Sequence, residues 1–196
     1  MRHAGMGALL VFVIGTGGSA QDKEPRVVKN DELGIALTRP ADEKWKIQEK
    51  GRWLPGPGVT HVIDPLNVDA FAEFLEPNTK WPDDGIEGIG KNLMSNYREK
   101  TKPKEKDKPA DWKEFKVIKE EKKAKYPGPG SPTAYFIQAV ITENDDTVKE
   151  IHEWIFLKNN NLYRVCVNGA KGEYTKKAKE VAAILGSLQI YKPNKK

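Results

Sequence analysis

The stretch from Val148 to Val167 decides the fold of this chain. It reads VKEIHEWIFL at 148–157, then Asn159-Asn160-Asn161, then LYRVCV at 162–167. Both runs are rich in β-branched and aromatic residues, and asparagine tolerates the turn and left-handed conformations that a tight connection needs. The pattern predicts a β-hairpin with its tip at the asparagines.

A third strand precedes this hairpin. The run TAYFIQAVI at 133–141 is joined to it by Asn144-Asp145-Asp146, another group of turn residues. The middle strand carries large apolar residues toward both sides: Ile151, Trp154, Ile155, Phe156 and Leu157. Both of its faces must therefore be covered, and we expect it at the centre of an antiparallel sheet.

Apolar residues at helical spacing predict two helices. The first runs from Asp83 or Asp84, either of which can cap it, to about Lys100, and the second from Glu173 to Leu185, with Gly186 as a left-handed end. Shorter strands are predicted at 33–38, 45–48, 59–64, 68–75, 115–124 and 187–191. The fold class is therefore α+β, an antiparallel β-sheet with helices on both faces.

The chain divides into a leader and a single domain. Residues 1–20 have a short basic start, an apolar run and small residues before a cleavage point near Ala20, so they are interpreted as a signal peptide. Residues 21–30 are a flexible lead-in, 31–192 the domain, 99–111 a charged flexible insert and 193–196 a basic tail. No later run is apolar enough to span a membrane, so we expect an exported protein, periplasmic or extracellular.

The charge balance limits the classes of partner that this chain can bind, and the cysteine count excludes an internal disulfide. The chain has 33 basic and 28 acidic residues, a net charge of +5, with the signs intermixed. Such a balance is typical of a solvated surface; the tail permits weak association with an anionic surface, and a nucleic-acid partner is disfavoured. Cys166 is the single cysteine, so no internal disulfide forms, and its apolar neighbours predict a buried thiol.

The sequence contains no motif that indicates a particular reaction. After the leader, His61 and His152 are the two histidines, and neither lies in a motif for nucleophilic catalysis or at a spacing typical of zinc. We therefore assign no catalytic residue, no metal and no cofactor. Aromatic residues in Pro/Gly-bounded loops remain, and a rigid loop can present a flat apolar face to a partner. The candidate partner-binding residues are Arg52, Trp53, Trp81 and Tyr126; the alternative is that they fold back to cap the ends of the sandwich.

Several segments resemble the PsbP-like family. The opening run LGIAL at 33–37 with Pro40 and Trp45, and the closing half, are similar to that family's pattern. Ile35 stands where an aromatic residue is usual, and Leu188 where phenylalanine is usual. The closing half consists of 135–141, 154–157, 162–167, a helix ending at Leu185 and the segment GSLQI at 186–190.

The resemblance implies a sheet sandwiched by helices and a role in binding without chemistry. PsbP is an accessory subunit of the water-oxidising photosystem, and a distant relative binds the small GTPase Ran; no residue here matches a family ligand or catalytic position. We therefore expect an exported non-enzymatic binding or accessory domain that docks a protein or cell-envelope partner. The alternative is a small-ligand-binding protein or a hydrolase whose site is assembled from scattered carboxylates and a histidine.

Overall fold

The computed structural model describes residues 27–38, 40, 45–50, 57–63, 66–73, 81, 85–104, 109–159 and 161–193, with the backbone alone at 47–50, 57–63 and 73. Ten strands and three helices lie in this part of the chain. In order they are β1 Val27–Asn30, β2 Ile35–Thr38, β3 Lys46–Lys50, β4 Pro57–Ile63, β5 Leu66–Glu73, α1 Ile86–Glu99, β6 Trp112–Lys125, β7 Thr133–Glu143, β8 Val148–Lys158, β9 Asn161–Ala170, α2 Glu173–Lys176, α3 Ala178–Gly186 and β10 Gln189–Ile190.

The strands form two sheets. Seven of them make a sheet in the order β3-β4-β5-β9-β8-β7-β6, and its pairs are antiparallel. The predicted hairpin is confirmed: β8 and β9 pair with Trp154 opposite Val165, and Asn159 at the tip has a φ of 52°. The preceding turn is also confirmed, since the Thr147 amide donates to Asp145 Oδ1 at 3.0 Å and Asp146 has a φ of 68°.

Each face of the large sheet carries its own core. On one face α1 packs against β6, β7 and β8 through Met94 and Tyr97. On the other, α3 and the smaller sheet meet Trp154 and Phe156. Trp45, fully buried, joins this second core and donates its indole N–H to Glu180 Oε2 at 2.5 Å. The prediction that the middle strand is covered on both sides is therefore confirmed.

The smaller sheet was not predicted. It has the order β1-β2-β10, and β10 pairs antiparallel with β2. The Thr38 amide also donates to Ser187 Oγ at 2.8 Å. Leu33, Ile35 and Leu37 thus belong to the core on the α3 side. Both ends of the domain meet here, because the first described strands pair with the last.

The start of α1 differs from the prediction. The helix begins at Ile86 with Gly85, at φ 56°, as its N-cap and no side-chain capping bond, while Asp83 and Asp84 lie outside the described residues. The first turns of α1 contain Gly88 and Gly90, both buried. A Cβ added to Gly90 would lie 2.4 Å from the Tyr135 ring, so only glycine lets the helix approach the sheet this closely.

The second predicted helix is interrupted. Lys177, with φ −107°, separates α2 from α3. Gly186 is the last helical residue, not the left-handed residue that the sequence predicted, and Ser187 caps the helix in a right-handed conformation. The Ser187 hydroxyl donates to the Ile184 carbonyl at 2.7 Å, which stabilises this end without a left-handed glycine.

The predicted fold class is confirmed in its coarser form, a mixed α/β protein with antiparallel sheets. The finer prediction of helices on both faces is not confirmed, because helices are few and the smaller sheet shares the cover of one face with α3. No helix among the described residues is long and apolar enough to cross a membrane. The signal peptide at 1–20 lies outside the described residues, and the domain and insert boundaries stay predictions.

Candidate functional site

Of the four residues predicted to bind a partner, the two that the structure describes lie apart from each other. Arg52 and Trp53 lie outside the described residues, Trp81 is half-buried and Tyr126 is buried. Trp81 and Tyr126 line two separate clefts, on opposite faces of the large sheet. We name them the helix cleft, beside α1, and the loop cleft, beside the segment 126–132.

Tyr126 anchors its loop in the core. Its ring lies 5.1 Å from the Phe156 ring, and its hydroxyl donates to the Leu185 carbonyl at 2.9 Å. Burial raises the pKa of this phenol, so it stays protonated as a donor. Since only 1% of the residue is exposed, Tyr126 does not offer the free aromatic face that the sequence suggested. It follows the alternative, in which loop aromatics cap the sandwich.

The loop 126–132 is closed by its own backbone. The Tyr126 amide donates to the Pro132 carbonyl at 3.1 Å, and the Ser131 amide to Gly128 at 3.0 Å. A Cβ on Gly128 would lie 2.1 Å from the Tyr126 ring, so the chain can fold over that ring only at glycine. The two hydrogen bonds and the prolines make this loop a rigid wall.

The loop cleft lies between this wall and β10. It has a volume of about 460 Å³, with buried Tyr126, Phe156 and Leu188 at its floor. Its upper lining is Pro129, Gly130, Pro132, Gln189 and Ile190. Lys158 is exposed and is the one ionisable side chain with a free charge among the described lining residues. The cleft is an apolar slot with a single cation at its rim.

The helix cleft is smaller and more polar. It has a volume of about 290 Å³ and lies between α1 and the strands β8 and β9. Asn92 and Asn96, one helical turn apart, and Arg164 supply its polar groups. The apolar lining is Trp81, Ile89, Leu93, Ile155 and Leu162.

A buried hydrogen-bonded triad holds Arg164 in the helix cleft. Glu153, fully buried, accepts from Arg164 Nε at 2.7 Å and from the Tyr97 hydroxyl at 2.6 Å, and Arg164 Nη2 donates to Tyr97 at 3.2 Å. Burial and the negative charge of Glu153 raise the pKa of Tyr97. Burial lowers the pKa of Arg164, but the charge of Glu153, the Tyr97 phenol and the hydrogen bond to Glu153 together outweigh burial, so this pKa is raised. The guanidinium is thereby held charged and fixed in position.

His152 lies on neither cleft. Its ring stacks on Tyr174 with the centroids 4.0 Å apart, and its Nε2 lies 2.7 Å from Glu150 Oε1. Gln138 also donates to Glu150, at 2.9 Å. Burial lowers the pKa of His152, and Glu150 offsets part of this effect. The arrangement joins β7 and β8 to the start of α2, which is a structural role for this histidine. For His61 the structure describes the backbone alone.

A second line of buried polar groups crosses the α1 face of the sheet. Asn168 Nδ2 donates to Asp69 Oδ2 at 3.1 Å, and Asn67 Nδ2 donates to Asn168 at 3.2 Å. Cys166 lies beside them in the core, fully buried, and burial raises the pKa of its thiol. Its predicted burial is confirmed. Among the described residues, no three of the His, Cys, Asp and Glu side chains are grouped to hold a metal ion.

The sequence missed both clefts. Lys158 lies just before the asparagine turn and Arg164 lies between Tyr163 and Val165, and neither carries a local signal of a site. Glu153 carries one: it lies in the middle of a strand expected to be buried on both faces, and a buried carboxylate needs a partner. Its partner on β9 follows from the register, since Arg164 lies opposite Ile155, two residues from Glu153.

Comparisons with solved structures place this arrangement of strands among known folds. The solution structure of cyanobacterial PsbP (CyanoP) from Synechocystis sp. PCC 6803 is similar with a TM-score of 0.56 and 12% identity, over 91% of this chain and 99% of that one. A crystal structure from Bacteroides thetaiotaomicron has a TM-score of 0.49 and 15% identity, over 89% and 51%. LpqN of Mycobacterium tuberculosis, involved in cell envelope biogenesis, has 0.46 and 10%, over 85% and 90%.

No family profile matches the sequence, and no curated protein matches it. The similarity of this chain to known proteins is therefore a similarity of structure. The similarity to PsbP extends over nearly the whole of both chains, at an identity too low to carry function. It confirms the resemblance that the opening and closing segments predicted: this chain has a PsbP-like fold.

Proposed function

We propose that this protein is an exported, non-enzymatic accessory domain that docks a protein partner of the cell envelope at the loop cleft. The observation that carries the proposal is the cleft itself, an apolar slot of about 460 Å³ between a rigid Pro/Gly loop and the edge strand β10. An apolar pocket with a polar rim is the usual anchor for a partner's side chain. The PsbP-like fold supports the accessory role by analogy.

The charges of the cleft favour binding over chemistry. Lys158 is its ionisable rim residue, while Tyr126 is held by the Leu185 carbonyl with a raised pKa. A hydrolase needs a base within reach of a nucleophile or a water. The described carboxylates with shifted pKa values lie outside the loop cleft, and His152 is hydrogen-bonded to Glu150.

Site-specific photo-crosslinking tests the docking. A benzoylphenylalanine placed at Pro129, on the wall of the loop cleft, is expected to crosslink one envelope protein in cells. The same probe at Ser95, exposed on α1 across the sheet, is the matched control and is expected to crosslink none. Lys158→Glu should weaken the Pro129 crosslink. Equal crosslinking from both positions, or no effect of Lys158→Glu, would contradict docking at this cleft.

A second candidate function is small-ligand binding in the helix cleft. The observation that favours it is Arg164, whose Nη1 is unbonded among the described residues while Nε and Nη2 are fixed by Glu153 and Tyr97. Together with the two asparagine amides, it presents donors to a neutral polar molecule above an apolar floor. A thermal-shift screen of neutral polar metabolites tests this. A hit that survives Asn92→Ala plus Asn96→Ala would place the ligand elsewhere.

A further inference from the structure

The edge strand β10 has unpaired backbone groups beside the loop cleft. Gln189 lies opposite Ala36 of β2, and the Tyr191 amide donates to the Gly34 carbonyl at 2.9 Å. Along an antiparallel strand, alternate residues direct their backbone groups to the same side. Gln189 and Tyr191 therefore face β2, and the N–H and C=O of Ile190, between them, face the open edge. Ile190 also lines the loop cleft, so this edge adjoins it.

The floor of the cleft can accept an apolar side chain from a strand laid along this edge. Tyr126, Phe156 and Leu188 form it and are nearly fully buried, so their positions are fixed before any partner arrives. Pro129 and Pro132 face β10 across the cleft. A preformed apolar slot beside an open strand edge is the arrangement by which proteins bind an extended segment, with backbone bonds for affinity and a pocket for specificity.

The rim adds a charge preference. Lys158 is exposed, and among the described residues it has no ion-pair or hydrogen-bond partner. A carboxylate two residues along from the apolar side chain would project from the same face of an extended segment and reach this ammonium. A second copy of this chain is disfavoured as the occupant, because each copy carries a net charge of +5 and the two repel.

We propose that a segment of a protein partner adds to the smaller sheet as a strand beside β10, placing an apolar residue in the loop cleft and an acidic residue two positions away on Lys158. This inference rests on docking at the loop cleft and specifies how it occurs. The recognised pattern is apolar, any residue, acidic, in extended conformation. The backbone bonds are made to the N–H and C=O of Ile190.

A designed peptide tests the mode of binding. Acetyl-Thr-Leu-Thr-Glu-Thr-amide is titrated into the 15N-labelled protein, and shifts of the backbone amides are expected at Gly130, Ser131, Lys158 and 188–190. Replacing its glutamate by lysine should weaken binding roughly one-and-a-half- to fivefold, as for an exposed ion pair. Lys158→Glu should reverse the preference for glutamate over lysine in the peptide. Lys171→Glu makes the same charge change on an exposed residue outside the cleft and should leave this preference unchanged.

Two N-methylated peptides test the strand pairing directly. One carries the methyl groups on leucine and glutamate, the other on the threonine between them, so they block opposite edges of the added strand. If the peptide adds as a strand, the N-methylated peptide whose methyl groups face away from β10 should bind as tightly as the unmethylated peptide. The other N-methylated peptide should bind roughly three- to tenfold more weakly, because it loses a net hydrogen bond. Equal binding of the two would overturn strand addition.

The outcomes separate this inference from the proposed function. If the Pro129 crosslink forms but neither the N-methyl pair nor the charge swap discriminates, the partner docks in the cleft without adding a strand. If the peptide shifts residues outside the cleft, or if the protein alone tumbles as a dimer through this edge, the inference is wrong.

Discussion

The role of a single residue in this protein depends on the groups that surround it after folding. Glu153 and His152 are neighbours on one strand, yet their side chains lie on opposite faces of the sheet and in different partnerships. Glu153 accepts hydrogen bonds from Arg164 and Tyr97 in a buried triad, while His152 packs between Glu150 and Tyr174. Alternation along the strand was visible in the sequence, but the partners were not, because they come from β9, α1 and α2.

Removing Glu153 should be among the most destabilising single changes. Glu153→Ala leaves the Arg164 guanidinium, 14% exposed at its side chain, without its buried counter-ion. We expect the free energy of unfolding in urea to fall by about 3–5 kcal/mol. Glu99→Ala, which breaks the exposed pair with Lys102, is the control and should change it by about 1 kcal/mol or less. A loss at Glu153 as small as that at Glu99 would contradict the buried triad.

His152 should make stability depend on pH below its ordinary pKa of 6.5. Burial lowers its pKa in the folded protein, so as the pH falls below 6.5 the unfolded chain binds a proton that the folded chain does not. Stability is therefore full above pH 6.5 and is lost as the pH falls toward the folded pKa. The pKa of Glu150 is also lowered, but its contribution is lost below its ordinary value of 4.5.

Urea unfolding measured between pH 7.5 and 5 checks this dependence. In His152→Phe the slope over that interval should be smaller than in the parent protein, because the group that binds the proton on unfolding is gone. An unchanged slope would show that another group is responsible.

At the scale of elements, contact distance decides whether a helix tolerates an ordinary side chain. Gly90 in α1 and Gly186 in α3 are both helical glycines, and propensity alone predicts that alanine stabilises either. Their surroundings differ. A Cβ at Gly90 would meet the Tyr135 ring at 2.4 Å, whereas a Cβ at Gly186 would meet nothing within 4 Å.

The same substitution at these two glycines should therefore have opposite effects. Tyr135 is fully buried and its hydroxyl is bonded to Glu120, so the ring cannot move aside and Gly90→Ala should lower stability by about 1–3 kcal/mol. Gly186→Ala should raise it by about 0.4–1 kcal/mol. Thermal unfolding of the two variants in parallel checks the pair. A gain in stability at Gly90 would mean that α1 stands further from β7 than described.

At the scale of the whole molecule, the order of the sheets determines which backbone edges face solvent. β6 is an outer strand of the large sheet, 14 residues long, and Ile118 on it is 52% exposed. Three register shifts interrupt its pairing with β7, and six of its residues are lysine. Bulges and lysines are the usual means of keeping a long edge from pairing with another chain. β10, by contrast, is short, nearly uncharged and adjoins a cleft.

Removing charge from the β6 edge should cause association. Lys116→Val with Lys123→Val, both exposed on the strand, leaves a more apolar edge with unpaired backbone groups. We expect concentration-dependent growth in light scattering, with little change in the unfolding midpoint. The control is Lys171→Val plus Lys192→Val, which makes the same charge change away from this edge. This variant should not associate. If both pairs scatter alike, net charge and not the β6 edge keeps the chains apart.

The sequence by itself determined the local architecture of this protein. The hairpin of 148–167, the strand before it, the burial of Cys166 and a helix beginning near Ile86 all follow from turn residues and apolar spacing, which act over a few residues. The resemblance of 33–45 and 135–190 to PsbP also extended to the fold, because patterns of burial persist where identity does not.

Only the tertiary structure decided the second sheet, the role of Tyr126 and the position of the clefts. β2 and β10 are separated by most of the chain, and no local pattern chooses such a pairing. From the sequence, Tyr126 is a candidate for a free aromatic residue in a loop. In the structure its hydroxyl donates to the Leu185 carbonyl of α3, a contact that no local pattern predicts. A cleft is the space left between elements, so it exists only after their packing is settled. The physical reason is range: propensity acts along the chain, while a binding surface is formed across it.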